Sequence, residues 1–173
     1  YVDDNKISHV DATVVTDIIQ TIEARFGKMT VTRGKEHVFL GMNIKFHDDG
    51  TVSVKMKEYI KEAIADFGDI TRTAATPAKR SLFDIDDSSP RLSRLDGEVF
   101  HSVVAKLLYV SKRSRLDIQL AVAFLCTRVS ESTDQDRLKL KRVLEYLRGT
   151  LDDFLTLGAD NIGMIKTWVD ASY

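Results

Sequence analysis

Apolar positions in the first third of the chain change period twice. Val15, Ile18, Ile19, Ile22 and Phe26 recur at helical spacing behind Asp11, a residue type that caps helix starts by accepting from a free backbone N–H. Gly27 stands where helices commonly end, so a helix is predicted between Asp11 and Gly27. Ile7 and Val10, set among polar neighbours, predict a short strand over residues 5–10. From Met29 the pattern turns to β-branched and alternating residues, and strands are predicted over 30–33 and 38–46. The turn His47-Asp48-Asp49-Gly50 leads into Val52 and Val54, which reads as a hairpin. Tyr59, Ile60, Ala63, Ile64 and Phe67 then return to helical spacing, stopping at Gly68.

Residues 69–97 carry both prolines, Pro77 and Pro90, and few large apolar side chains, so a linker or long surface loop is predicted. Three helical patterns follow, over 98–111, 116–129 and 135–147, the last closed by Gly149. Strands are predicted over 154–157 and 164–169. The sum is an α+β chain without internal repeats or low-complexity tracts.

Composition excludes several classes. Hydrophobic residues make up 43% and charged residues 29% of 173, an ordinary globular balance. No run approaches the roughly 20 apolar residues that span a bilayer, and the start carries no basic-then-apolar secretory pattern. The single cysteine, Cys126, excludes an internal disulfide and a thiolate zinc site; beside Val122 and Val129 it reads as core. A formal net charge of −1 excludes a polycation that binds nucleic acid indiscriminately. The balance shifts between Lys106 and Arg148. There Lys106, Lys112, Arg113, Arg115, Arg128, Arg137, Lys139, Lys141, Arg142 and Arg148 face Asp117, Glu131, Asp134, Asp136 and Glu145. Such a set is either a phosphate-binding surface or a solvated helix face.

The candidate chemistry sits at the two ends. Tyr1-Val2-Asp3-Asp4 sets adjacent carboxylates behind an aromatic residue. Two ionised neighbours repel, and a fold that keeps both charged normally supplies a cation. Hard divalent ions such as Mg²⁺ prefer these oxygens, and a pair of them about 3.5–4 Å apart stabilises both oxygens of a phosphoryl transfer. By residue type alone a turn is the commoner reading, and the chain repeats the dipeptide at Asp48-Asp49, Asp86-Asp87 and Asp152-Asp153. Asp84, Asp86 and Ser88 mimic the start of a calcium loop, but Ser89 and Leu95 replace its required Gly and Glu. His9, His37, His47 and His101 lack ligand spacing, and no glycine-rich phosphate loop is present. The chain opens on a candidate motif without an initiator Met, which suggests either a processed chain or a piece of a longer protein.

Taken in order, these pieces resemble the reverse transcriptase of copia-type LTR retrotransposons over most of the chain. Tyr1-Val2-Asp3-Asp4 is similar to the family's polymerase box, and Phe39-Leu40-Gly41-Met42 to its Phe-Leu-Gly hairpin. Tyr59-Ile60 with Phe67-Gly68 resembles the helix that follows, and Thr76-Pro77 the start of its linker. Val103-Val104 with Leu107-Leu108-Tyr109 resembles the Val-Gly-x-Leu-Leu-Tyr helix, and Arg115-Leu116-Asp117-Ile118 stands for Arg-Pro-Asp-Ile. Arg142-Val143-Leu144 with Tyr146-Leu147-Arg148-Gly149-Thr150 is similar to the closing helix, and Asp170-Ala171 to the first acidic box of RNase H. Met56, Ala105, Leu116 and Ser132-Thr133-Asp134 depart from the pattern, as drift in a divergent or decaying copy would produce.

The resemblance implies a division into a palm remainder over 1–68, a linker over 69–97, a helical thumb or connection over 98–150 and the start of an RNase H-like domain over 151–173. It implies an RNA-directed DNA polymerase joined to RNase H, using Mg²⁺ (or Mn²⁺), two ions per active site. Asp3 and Asp4 would hold the polymerase metals together with a third Asp absent from residues 1–173. Asp170 would be a catalytic metal ligand of the nuclease. Tyr1 and Val2 would support the turn and pack on the primer end, though strand packing explains them equally. Leu40, Gly41 and Met42 would grip the primer, the glycine allowing close backbone approach; a packing glycine in an ordinary hairpin is the alternative. Arg137, Lys141 and Arg148 would take phosphates. Implied partners are RNA template, DNA primer, RNA–DNA hybrid and deoxynucleoside triphosphates, with no membrane; the implied location is the cytoplasm, in virus-like particles, with a nuclear phase. The chain alone is expected to be inactive. Two other readings remain open: a non-enzymatic nucleic-acid-binding remnant of a retroelement, and an unrelated metal-dependent phosphohydrolase.

Overall fold

Apolar residues at steps of three and four build the interior. In the computed structural model, described here over residues 5–68, 70–159, 163, 164 and 167, helix α3 (Arg94–Ser111) buries Phe100, Val103, Val104, Leu107 and Val110 along one stripe. Helix α5 (Asp134–Gly149) answers with Leu140, Val143, Leu144 and Leu147. Ile60 and Ala63 of α2 (Lys57–Phe67) and Ala121, Val122 and Leu125 of the short, apolar α4 (Gln119–Cys126) complete the four-helix core. Each large side chain buried there contributes roughly 1.5–3 kcal/mol of apolar transfer.

Against this bundle stands a four-stranded antiparallel sheet. Strands β1 (Glu36–Phe39), β2 (Met42–Phe46), β3 (Val52–Lys55) and β4 (Leu155–Leu157) lie in the order β1-β2-β3-β4. Helix α1 (Ala12–Phe26) begins at Asp11, whose carboxylate accepts from the Thr13 N–H at 2.8 Å. None of its residues is buried. Val15, Ile19 and Ile22 instead line an open cleft of about 680 Å³ shared with Met29, Val31 and Phe46.

The structure corrects several expectations. Residues 5–10 and 30–33 form no strand, because no neighbouring strand is there to take their backbone groups. The expected strand 38–46 is two strands, broken by a turn at Leu40-Gly41. Helix α3 starts at Arg94, inside the expected linker, because Ser93 caps it: its hydroxyl accepts from the Asp96 N–H at 3.1 Å and donates to the Asp96 carboxylate at 2.6 Å. The expected helix 116–129 is a 3-10 turn (Leu116–Ile118) followed by α4, which stops at Cys126. The strand expected near 154–157 is present as β4 and pairs with β3, Val54 opposite Leu155 and Val52 opposite Leu157. Of the expected strand 164–169, Met164 and Thr167 are outside any strand, and the other positions lie outside the described residues.

Residues 70–92 are irregular, as expected, but they are not a free loop. They lie along α5 and bury Ile70 and Leu82. The Ala74 N–H donates to Glu145 O, Arg148 donates to Ile70 O at 2.6 Å and Arg142 donates to Thr76 Oγ1 at 2.9 Å. Nearer the start of α5, Lys139 donates to Asp84 O at 2.5 Å and the Asp134 N–H to Pro90 O at 2.9 Å. A reciprocal capping box between Thr133 and the buried Asp136, with Arg128 beside the carboxylate, fixes where α5 begins.

Two polar knots follow one another along the chain, the first within the bundle and the second joining it to the sheet. Arg115, only 2% exposed, donates to both Asp117 oxygens at 3.0 and 2.7 Å and to Thr150 O and Oγ1 at 2.8 and 2.7 Å. Burial works to raise the Asp117 carboxyl, but hydrogen bonds from Arg115 and Tyr146 outweigh it and hold the group below its ordinary value. Beyond Thr150, Asp152 accepts from Lys55 at 2.6 Å and Lys57 at 2.9 Å, which brings its carboxyl down to about 2.

Replacing Arg115 with Met leaves the Thr150 carbonyl without this donor and Asp117 with Tyr146 in place of two donors, and should cost about 1–3 kcal/mol in urea unfolding. The exposed Lys112→Met serves as control, expected within about 0.5 kcal/mol of wild type. Because Asp152 titrates lower folded than unfolded, its contribution is present above about pH 4 and is lost as pH falls through about 2. Replacing Lys55 and Lys57 with Met should return Asp152 towards the ordinary carboxylate range in an NMR titration; an unmoved value would show that the lysines do not set it.

Candidate nucleic-acid interface

Phe39 pairs directly with Met42, so the β1–β2 connection has only two residues, Leu40 and Gly41. Both take positive φ, 51° and 74°, as a tight primed turn requires to match the twist of its strands. Glycine adopts that conformation freely. For leucine it costs roughly 1–2 kcal/mol, which the surroundings must hold in place.

They do so through two tyrosines. Tyr109 of α3 donates its hydroxyl to Leu40 O at 2.7 Å. Gly41 lies over Tyr59 of α2: a Cβ at Gly41 would stand 3.4 Å from Tyr59 Cδ2 and 3.9 Å from Met56 Cε. The two rings pack at 5.4 Å, so the turn rests on an aromatic pair. Cations flank it. The Arg113 guanidinium is 3.7 Å from the Tyr109 ring centre, and Lys106 Nζ is 6.0 Å from that of Tyr59. Lys106 also donates to Asp66 at 2.5 Å, and that bond raises its pKa. Lys106 and Tyr109 share one face of α3, three residues apart, and Arg113 lies two residues past its end, donating through Nη1 to Tyr109 O at 3.4 Å.

The structure thus brings Leu40, Gly41 and Met42 together at the β1–β2 turn, with Met42 packed against the core. Arg137, Lys141 and Arg148 share a stripe of α5, at steps of four and seven, but they are not beside that turn. Arg137 stacks 5.5 Å from the ring of Phe67 and lies 3.8 Å from Asp96. Phe67 is at the opposite end of α2 from Tyr59, about 12 Å along the helix axis. Much of the basic set is committed internally: Arg115 to Asp117, Arg128 to Asp136, and Lys139, Arg142 and Arg148 to the segment 70–92.

Tyr1, Val2, Asp3, Asp4 and Asp170 lie outside the described residues. Among the described residues no group of three or more His, Cys, Asp or Glu side chains is set to hold a metal ion. Sequence reasoning missed the part played by Tyr59 and Tyr109. The signal for Tyr109 was present, an aromatic between Lys106 and Arg113 in sequence, but its partner Leu40 is remote in sequence.

No family model matches the chain, and no solved structure does. Curated relatives do match. An uncharacterized mitochondrial protein of Arabidopsis thaliana is 30% identical over the whole of this chain and 70% of its own length. A putative transposon Ty5-1 protein of Saccharomyces cerevisiae is 25% identical, and this chain spans 55% of it. The retrovirus-related Pol polyprotein from transposon RE1 of Arabidopsis thaliana is 28% identical, the chain spanning only 12% of that much longer protein. The transposon relatives align with the whole chain, as the ordered boxes from Tyr1-Val2-Asp3-Asp4 to Asp170-Ala171 lead one to expect; the chain belongs to the copia-type LTR retrotransposon polyprotein family.

Proposed function

We propose that this chain is part of an RNA-directed DNA polymerase with a linked RNase H, and that the Leu40-Gly41 turn holds the primer strand. The turn itself supports this reading most directly. The turn is uncharged and pinned by Tyr109, and Gly41 is exposed on it, so its backbone is open to a strand although the side without a Cβ faces Tyr59. Arg113 and Lys106 beside it suit sequence-independent phosphate contacts. In this reading residues 1–68 complete a palm, 69–97 connect it, 98–150 form the thumb or connection, and 151–173 lead into the nuclease. The substrates are a primed RNA template, the resulting hybrid and deoxynucleoside triphosphates, inside cytoplasmic particles.

Asp3 and Asp4 would hold Mg²⁺ with a third carboxylate from the longer polyprotein, and Asp170 would serve the nuclease site. The ions supply charge stabilisation for phosphoryl transfer when bound. The described residues contribute positioning. Tyr109 fixes the tip by its hydrogen bond, Tyr59 supports Gly41, and Arg113 stacks on Tyr109 where it can meet a phosphate. The basic stripe on α5 supplies at most part of the duplex contact, since Arg137 and Arg148 already have protein partners.

In the complete polyprotein, Asp3→Asn or Asp4→Asn should abolish nucleotide incorporation on a primed RNA, and Asp170→Asn should stop only degradation of RNA in the hybrid. Near wild-type incorporation by the first two variants would reduce the pair to a turn, and an unchanged nuclease with Asp170→Asn would remove that assignment. A separate test uses the strain at Leu40. Asparagine tolerates positive φ, so Leu40→Asn should leave unfolding free energy unchanged or raise it by up to about 1 kcal/mol. The same variant should weaken binding of an RNA–DNA hybrid several-fold, read by fluorescence anisotropy. Unchanged affinity would show that the tip does not touch the strand.

A further inference from the structure

A second concave site lies on the bundle, between the irregular segment 77–82 and α5. Its volume is about 420 Å³, within the range of small-ligand sites. Pro77, Leu82 and Leu138 give it an apolar wall, and Leu138 stays largely exposed although its neighbours in the wall are not. Four cations line it, Lys79, Lys139, Lys141 and Arg142, against the single carboxylate of Glu145.

These cations are not equally spent. Lys139 already donates to Asp84 O and Gln135. Arg142 is anchored through Nη2 to Thr76 Oγ1, while its buried Nε–H has no acceptor. Among the described residues the side chains of Lys79 and Lys141 form no hydrogen bond or ion pair. A phosphate alone would leave Pro77 and Leu138 wet, and an apolar molecule alone would leave the lysines unopposed.

We infer that this cleft binds a nucleoside phosphate, its phosphate between Lys79, Lys141 and Arg142 and its ring against Pro77 and Leu138. The nucleotide is either free or the 5′ end of a strand, for both present the same group. Each charge-assisted hydrogen bond to the phosphate should be worth about tenfold in affinity. The inference does not depend on the polymerase reading, because it uses neither the turn at Leu40 nor the terminal carboxylates.

Calorimetric titration of the chain with AMP, adenosine and inorganic phosphate tests it. AMP should bind at least about tenfold more tightly than either part alone. The double variant Lys79→Met, Lys141→Met should weaken AMP binding by about tenfold or more with an unchanged melting temperature, since neither lysine supports the fold. Leu138→Ser should weaken AMP while leaving inorganic phosphate unaffected. Competition by a 5′-phosphorylated oligonucleotide, but not by its 5′-hydroxyl counterpart, would assign the site to a strand end; failure of both to compete would assign it to the free nucleotide. Absence of AMP binding at millimolar concentration, binding no tighter than inorganic phosphate, or indifference to the double lysine variant would each overturn the proposal.

Discussion

A guanidinium taken out of water must find acceptors for its donors, and the burial of Arg115 organises the junction on which the fold turns. Its acceptors come from the 3-10 turn through Asp117 and from the end of α5 through Thr150, while Tyr146 packs 5.4 Å from the charge. Three parts of the bundle therefore meet at one point. The chain leaves that point at Thr150 and reaches Asp152, whose two lysine partners sit on either side of the passage from β3 to α2. The buried charge thus fixes the end of α5, and two residues further on Asp152 ties that end to β3 and α2.

The basic side chains of α5 obey the same rule of satisfied polar groups. Residues 70–92 form neither helix nor ladder, so their carbonyls need donors from elsewhere. Lys139 and Arg148 supply them at Asp84 and Ile70, and Arg142 meets the Thr76 hydroxyl. A cationic run that resembles a phosphate track in sequence is thus partly the means of holding an irregular segment. Lys141, without such a partner, keeps its charge for solvent or ligand.

These particulars explain which features could be read from residues. The helices α1, α2 and α5 were legible because local periodicity and end residues agree: Asp11 and Gly27, Gly68, and Gly149. The start of α3 was missed because Pro90 and the polar run before it outweighed the Ser93 cap in a reading by composition. The Leu40-Gly41 turn was hidden because leucine is a poor residue for positive φ, and only the remote Tyr109 makes it tenable. Residues 30–33 have strand composition without a strand beside them, and sheet preference is realised only by pairing. Of the candidate site, the hairpin residues were legible and their aromatic support was not. The support is a tertiary contact, and no local pattern encodes it.

The pairing of β4 with β3 has a bearing on how the chain is made. Val54 and Leu155 are about a hundred positions apart, so the loop between them closes at an entropic cost that local contacts do not meet. The helices between them must assemble first, and β4 docks last. Until it does, β3 is an open sheet edge carrying Val52 and Val54, available to any other strand with free backbone groups. During synthesis that interval lasts while the ribosome adds the whole bundle. A product cut between Thr150 and Leu155 would keep its hydrophobic core and still expose that edge, so its failure would be self-association and not unfolding.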